Sequence, residues 1–300
     1  MAQLRQNHSR QGKGLQTTFR LVIFLIIAII LLVGGFIFFK NKLATLPIKL
    51  AESDLEDYST RTYLPSHNGE VVHHKHYSLS YVEKYEQPEW TAYIMNRQML
   101  NAPNVPRSGN FHPDGSVSTG SAYHNDYSNS GYTRGHMVPA GDMAFDSTAM
   151  RESFYMSNMS PQLRQLNNGI WKELEENVRD WTYKAGKLYI ITGPVLSKPI
   201  KVIGKGNKVT VPSAFFKVLL DYDDPDKRGI AFIIPHEMSE RRLEEYMVTI
   251  DEVEKLTGLD FFNDMINDAE EEKLESTIDK TLWNVSDKRY QLRISKWNYE

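Results

Sequence analysis

Three hundred residues carry 35 Lys and Arg against 38 Asp and Glu, a net charge of −3, with 41% hydrophobic and 11% aromatic residues. That balance excludes a disordered tail protein and a coiled-coil rod. Cysteine is absent, which removes disulfide scaffolds, Cys-ligated metal centres and thiol nucleophiles. The charge is unevenly spread: residues 1–40 hold Arg5, Arg10, Lys13, Arg20 and Lys40 and no acid, leaving 30 basic against 38 acidic residues, net −8, for 41–300. An acidic body of this kind meets an anionic substrate locally, through a metal or a few arginines.

In chain order, a basic stretch over 1–20 precedes an apolar run from Leu21 to Phe39, broken only by Gly34 and Gly35. As a helix it would span about 28 Å, close to the thickness of a bilayer's hydrocarbon. No face of it is polar, and Phe36-Ile-Phe-Phe-Lys40 is a poor cleavage site, so the run reads as an uncleaved transmembrane signal anchor. The basic, acid-free N-terminus places itself inside and everything after about residue 40 on the far side. It also fits a mitochondrial targeting segment, but it is poor in Ser and not amphipathic. A bacterial inner-membrane anchor with the domain facing the periplasm is the preferred location. Residues 40–68, with Glu52-Ser-Asp-Leu-Glu-Asp57, read as a stalk, and 69–300 as one domain.

Within that domain Val71–Tyr81, Trp90–Met95, Lys187–Ile191, Val209–Asp221 and Gly229–Ile234 have strand composition. Gly204-Lys-Gly-Asn207 signals a hairpin, and Gly109–Gly131 a long loop. Helical patterns cover Asn168–Lys184, Ser239–Met247, Ile250–Gly258 and Asp264–Ile278. Strands outnumber helices without alternating with them, which points to an α+β fold.

The chemistry concentrates between Ser130 and Arg179. Thr133-Arg-Gly-His136 offers a histidine suited to general-base work beside a glycine that permits a sharp turn. In the helix that follows, Ile170, Trp171, Leu174, Val178 and Trp181 share the core face, with Asn167, Glu175 and Arg179 along one edge of it. Asn167 would stand where the helix begins, near the positive end of its dipole. Taken singly, Asn167 also fits a plain helix cap, and Glu175 with Arg179 an i,i+4 ion pair contributing about 0.3–0.5 kcal/mol.

Three linked elements carry a resemblance: Thr133-Arg-Gly-His136, Tyr155-Met-Ser-Asn-Met-Ser-Pro-Gln162 and Leu166-Asn-Asn-Gly-Ile-Trp-Lys-Glu-Leu-Glu175. Ile191-Thr-Gly-Pro194, Val211–Val218 and Thr249–Phe261 extend it, so that it covers about residues 69–263. The sequence resembles the DNA/RNA non-specific endonuclease family, the ββα-metal nucleases that include endonuclease G. The resemblance implies a mostly antiparallel central sheet flanked by helices. It also implies a divalent-metal-dependent endonuclease that hydrolyses DNA and RNA with little sequence preference.

Carried over residue by residue, the resemblance makes His136 the general base and Asn167 the direct ligand of Mg²⁺, for which Mn²⁺ could substitute. Glu175 would act through a metal-bound water, Arg134 and Arg179 would hold phosphate, and Asn158 would support the site by hydrogen bonding. Arg107 is a looser match to an arginine on the transition state. The chain departs from the family pattern at Thr133, where the family has Asp, and this keeps open a member that binds nucleic acid or phosphate without cutting. A homodimer is carried as a further partner state. Elsewhere, His74 and His76 share a strand face as a two-ligand metal candidate that the β-pattern argues against. Asp221–Asp226 reads as a turn, and Glu270-Glu-Glu272 as a solvated helix face.

Overall fold

The computed structural model describes residues 11–44, 60–223 and 227–300 and separates into two units, 1–47 and 48–300. In the first unit a helix runs Gln11–Ala44, with Leu21–Ile37 exposed throughout. Among the described residues no helix is long and apolar enough to cross a membrane. The side chains of Phe38 and Phe39, which complete the expected span, lie outside the described set, as does the acidic stretch 52–57.

The second unit is built on a seven-stranded antiparallel sheet ordered β1-β2-β3-β6-β9-β10-β11. Its strands are β1 (Glu70–His73), β2 (Ser78–Val82), β3 (Gln87–Asn96), β6 (Lys187–Val195), β9 (Ala214–Asp221), β10 (Arg228–Pro235) and β11 (Met247–Val248). Two two-stranded antiparallel sheets accompany it: β4 (Thr133–His136) with β5 (Met159–Gln162), and β7 (Lys201–Ile203) with β8 (Val209–Val211). The expected α+β class and mostly antiparallel sheet are therefore present, and Gly204–Asn207 forms the β7–β8 turn. The domain begins earlier than expected: Tyr63 is fully buried, and Ser66 bonds to Trp90 and Asp260.

Four expected elements are divided or moved, each for a local reason. The run 71–81 breaks because the His74 N–H closes a turn on the Tyr77 carbonyl at 2.9 Å. The run 209–221 breaks at Pro212, which has no N–H and whose carbonyl accepts from His236 Nδ1 at 2.7 Å. The helix expected over 239–247 shrinks to one turn, Leu243–Tyr246, because Arg293 takes the carbonyls of Ser239 and Arg241. The helix expected from Asp264 starts at Asp268, where Asn267 Oδ1 accepts from the Glu270 N–H at 3.2 Å.

The helix Lys172–Ala185 covers one face of the sheet. Trp181 stacks on Phe232 at 5.8 Å, and Trp171 packs against Phe215 at 5.6 Å. Phe216 points the other way by strand alternation and meets Phe261 at 5.9 Å, so apolar groups cover both faces. Close strand packing at Gly193 leaves no room for a side chain: a Cβ there would sit 2.2 Å from the Glu89 carbonyl oxygen and 2.6 Å from the Phe216 ring. Gly193→Ala is therefore expected to lower the guanidinium unfolding midpoint by an amount equivalent to roughly 1–3 kcal/mol. An unchanged midpoint would mean that β6 shifts freely.

Candidate active site

The two-stranded β4–β5 sheet presents His136. Register pairs His136 with Met159 and Gly135 with Ser160. A Cβ at Gly135 would lie 2.1 Å from Gln162 Oε1, so a larger residue there would have to displace the Gln162 side chain. Immediately after β4 the backbone is pinned by Asn158, which is fully buried. Its Oδ1 accepts from the Val138 N–H at 2.9 Å, and its Nδ2 donates to the carbonyls of Val138 and Ser153. With its amide committed this way, Asn158 does not line the cleft. Its hydrogen bonds instead hold the backbone at Val138 and Ser153.

The chain from 164 to 185 is not one regular helix. A wide turn over Asn167–Trp171 precedes the helix proper, and Gly169 inside it is non-helical at φ −92°, ψ −114°. A Cβ on Gly169 would meet Asn298 Oδ1 at 2.4 Å, so the kink forms where the C-terminal segment packs. Asn167 consequently lies before a kink and is not the cap of a straight helix. Such bulged turns recur at functional sites because they re-aim side chains.

The result is a cleft of about 300 Å³. It is lined by Arg107, Arg134, His136, Asn167, Glu175 and Arg179, together with Phe111, Pro139, Ala140, Gly141, Asn168, Lys172 and Glu176. Six of the seven residues singled out in the sequence meet there. Its four cations, Arg107, Arg134, Lys172 and Arg179, outnumber its two carboxylates, Glu175 and Glu176. A local basic site thus sits in an acidic body.

His136 is 8% exposed, and its Nε2 is buried without a hydrogen-bond partner. Phe154 meets the ring edge-on at 4.8 Å and Phe111 lies at 5.7 Å. Burial, and then Arg107, lower its pKa to about 3, so the imidazole is neutral at physiological pH. Arg107 and Arg134 lie over Phe154 and Phe111, at 5.1 and 4.7 Å. Thr133 Oγ1 accepts from Asn167 Nδ2 at 3.1 Å and donates to the Gln162 carbonyl at 2.9 Å. That contact commits the amide nitrogen and turns the Asn167 oxygen away from Thr133.

Two residues went unassigned in the sequence. Asp142, 4% exposed, accepts from Arg179 Nη1 at 2.7 Å and from the Tyr93 hydroxyl at 2.6 Å. Lys217 is fully buried on β9, donates to Thr192 Oγ1 at 2.6 Å and lies over Trp171 at 5.3 Å. Burial raises the Glu175 carboxyl and lowers the Lys217 amine, while the opposite charge of each partly restores the other. Lys217 had a sequence signal: a lone charge in the apolar strand Ala-Phe-Phe-Lys-Val-Leu-Leu needs a partner. The histidine candidate is structural, since His74 Nε2 contacts Asp114 Oδ2 at 3.0 Å.

A model of the DNA/RNA non-specific endonuclease family matches residues 57–267. The chain belongs to that family. It is 33% identical to the mitochondrial nuclease EXOG of Danio rerio over 66% of this chain and 62% of the relative. The Mus musculus EXOG is also 33% identical, over 74% and 64%. The chain therefore spans somewhat under two thirds of the length of these curated relatives. A solved structure of EndoG in its complex with EndoGI is 30% identical, with a TM-score of 0.65 over 73% of this chain and 95% of that one.

The buried imidazole makes stability depend on pH. An unfolded histidine titrates near 6.5, so below that pH the unfolded chain of this endonuclease-family member takes up a proton that the folded chain refuses. The contribution of His136 is full above pH 6.5 and is lost as the pH falls toward 3. Thermal stability measured from pH 7 to 4.5 should fall, and His136→Asn should flatten that slope by up to about 1.4 kcal/mol per pH unit. An identical slope in the variant would mean that His136 is protonated in the folded state.

Proposed function

We propose that this chain is a metal-dependent nuclease that hydrolyses phosphodiester bonds of DNA and RNA with little sequence preference, anchored to a membrane by its N-terminal helix. One observation carries the reading: a histidine that is neutral at physiological pH lines a cleft with three arginines and an oriented asparagine. The neutral His136 imidazole accepts the proton of the attacking water. Arg107, Arg134 and Arg179 bind the phosphate oxygens, and Asp142 fixes Arg179 in place. Contacts of this kind go to the phosphate and leave the bases unread, which supports indifference to sequence. A bound phosphodiester also offsets the charge of Arg107, so His136 becomes more basic when substrate is present.

The donor set fits a hard divalent cation. The Asn167 amide oxygen would be the direct ligand, and the half-buried Glu175 carboxylate would orient a water of the ion's shell. Mg²⁺ held there would neutralise charge on the phosphate and leaving oxygens, and Mn²⁺ could replace it. Thr133 favours this reading over a non-cutting family member, because its hydroxyl holds Asn167 in the orientation a ligand needs.

His136→Ala should lower plasmid cleavage about 10²–10⁴-fold while binding of uncleaved DNA persists. Asn167→Ala should raise the half-saturating Mg²⁺ concentration more than Glu175→Gln does, the latter acting through water. Wild-type turnover in the first variant, or an unchanged Mg²⁺ requirement in the second, would remove that residue from its role.

The apolar run Leu21–Phe39 behind a basic, acid-free N-terminus supports the anchor, as does the exposure of Leu21–Ile37 on one helix. A bacterial inner membrane with the domain on the periplasmic side fits this charge asymmetry. Protease added to intact spheroplasts should digest the domain, whereas full protection would reverse the topology.

A further inference from the structure

Away from the cleft, the helices Ile250–Thr257 and Asp268–Ser276 bring acids together where their backbones press on β10. A Cβ at Gly229 would lie 2.8 Å from Ile250 Cδ1 and 3.0 Å from the Leu274 carbonyl oxygen. The residues next to those contacts, Asp251 and Glu275, are thus held near each other by packing that owes nothing to charge. One carboxylate oxygen each of Asp251, Glu254 and Glu275 lie within 4.8 Å of one another. Glu275 is only 5% exposed, and its Oε1 is buried with no hydrogen-bond partner. Glu271 Oε1, one turn earlier, is also buried and unpartnered, so the acidic run 270–272 is not a wholly solvated face. Glu254 is anchored by the Phe261 N–H, which donates to its Oε1 at 2.8 Å.

We propose that Asp251, Glu254 and Glu275 form a binding site for a hard divalent cation of the calcium type, which ties the second helix to the first. Three carboxylates with no imidazole or thiolate form an oxygen-only set, which suits Ca²⁺ or Mg²⁺ and disfavours zinc or copper. Calcium bonds of about 2.3–2.6 Å let opposed oxygens stand roughly 4.6–5.2 Å apart, whereas magnesium bonds of about 2.0–2.1 Å demand a tighter cage. Oxygens within 4.8 Å of one another are compatible with calcium bonds of that length. Of the three ligands, Asp251 and Glu254 lie inside the family match and only Glu275 lies beyond residue 267, where it ends. It does not depend on the nuclease reading.

The test uses the full chain carrying Asn167→Ala, which removes the ligand proposed for the cleft. Calorimetric titration of the metal-stripped protein should find one Ca²⁺ per chain with a Kd below about 1 mM, and Mg²⁺ at least about tenfold weaker. Ca²⁺ should also raise the melting temperature. Adding Glu275→Gln, or separately Glu254→Gln, should weaken Ca²⁺ at least about tenfold and abolish that rise. If Glu275→Gln does not fold, Glu254→Gln and Asp251→Asn decide the question. Absence of Ca²⁺ binding in the folded Asn167→Ala protein, or binding unmoved by the carboxamide variants, would overturn the site. Equal affinity for Mg²⁺ would overturn the calcium assignment.

Discussion

Charge buried beneath the helix Lys172–Ala185 must be compensated inside the domain, and the cleft takes its form from that constraint. An isolated ion in a protein interior costs several kcal/mol, so each one here is fixed by a partner. Asp142 takes bonds from Arg179 and Tyr93, and Lys217 is tied to Thr192 and faces Glu175 electrostatically. Tyr93, Thr192 and Lys217 stand on β3, β6 and β9, neighbours in the sheet. The sheet therefore braces Arg179, through Asp142 and Tyr93, and faces Glu175 with Lys217, whereas Arg107 and Asp142 themselves stand outside helices and strands.

The same dependence explains what could be read from the sequence. Arg134, His136 and Asn167 were legible because they lie in short motifs whose residue types carry the chemistry. Glu175 and Arg179 were legible from helical spacing. Asp142 and Lys217 were not assigned, because each acquires its meaning from a partner far along the chain: Arg179 for one, Glu175 for the other. Element boundaries failed in the same way. Pro212 marked the break before β9 openly, but its use depends on His236, and the lost helix after Ser239 depends on Arg293. Periodicity records which face a residue buries and says nothing of which distant side chain claims its carbonyl.

Thr133 replaces a carboxylate of the family pattern with a group of different wiring. A carboxylate could accept from Asn167, but it has no proton for the Gln162 carbonyl, and two oxygens would then face each other. The threonine hydroxyl does both jobs, at 3.1 and 2.9 Å. What it withholds is negative charge, so the electrostatic balance near His136 rests more heavily on Arg107 and on burial.

The kink at Gly169 leans on Asn298, and Asn168 donates to the Glu300 carbonyl at 3.3 Å. Asn298 is itself buried and held by the Ser239 carbonyl at 2.9 Å. The turn that aims Asn167 is therefore completed by residues far downstream, a non-local closure of the kind that forms late in folding. During synthesis the segment 164–185 leaves the ribosome long before its support does. A nascent chain that has not yet reached Asn298 therefore lacks the contact against which the Gly169 kink forms.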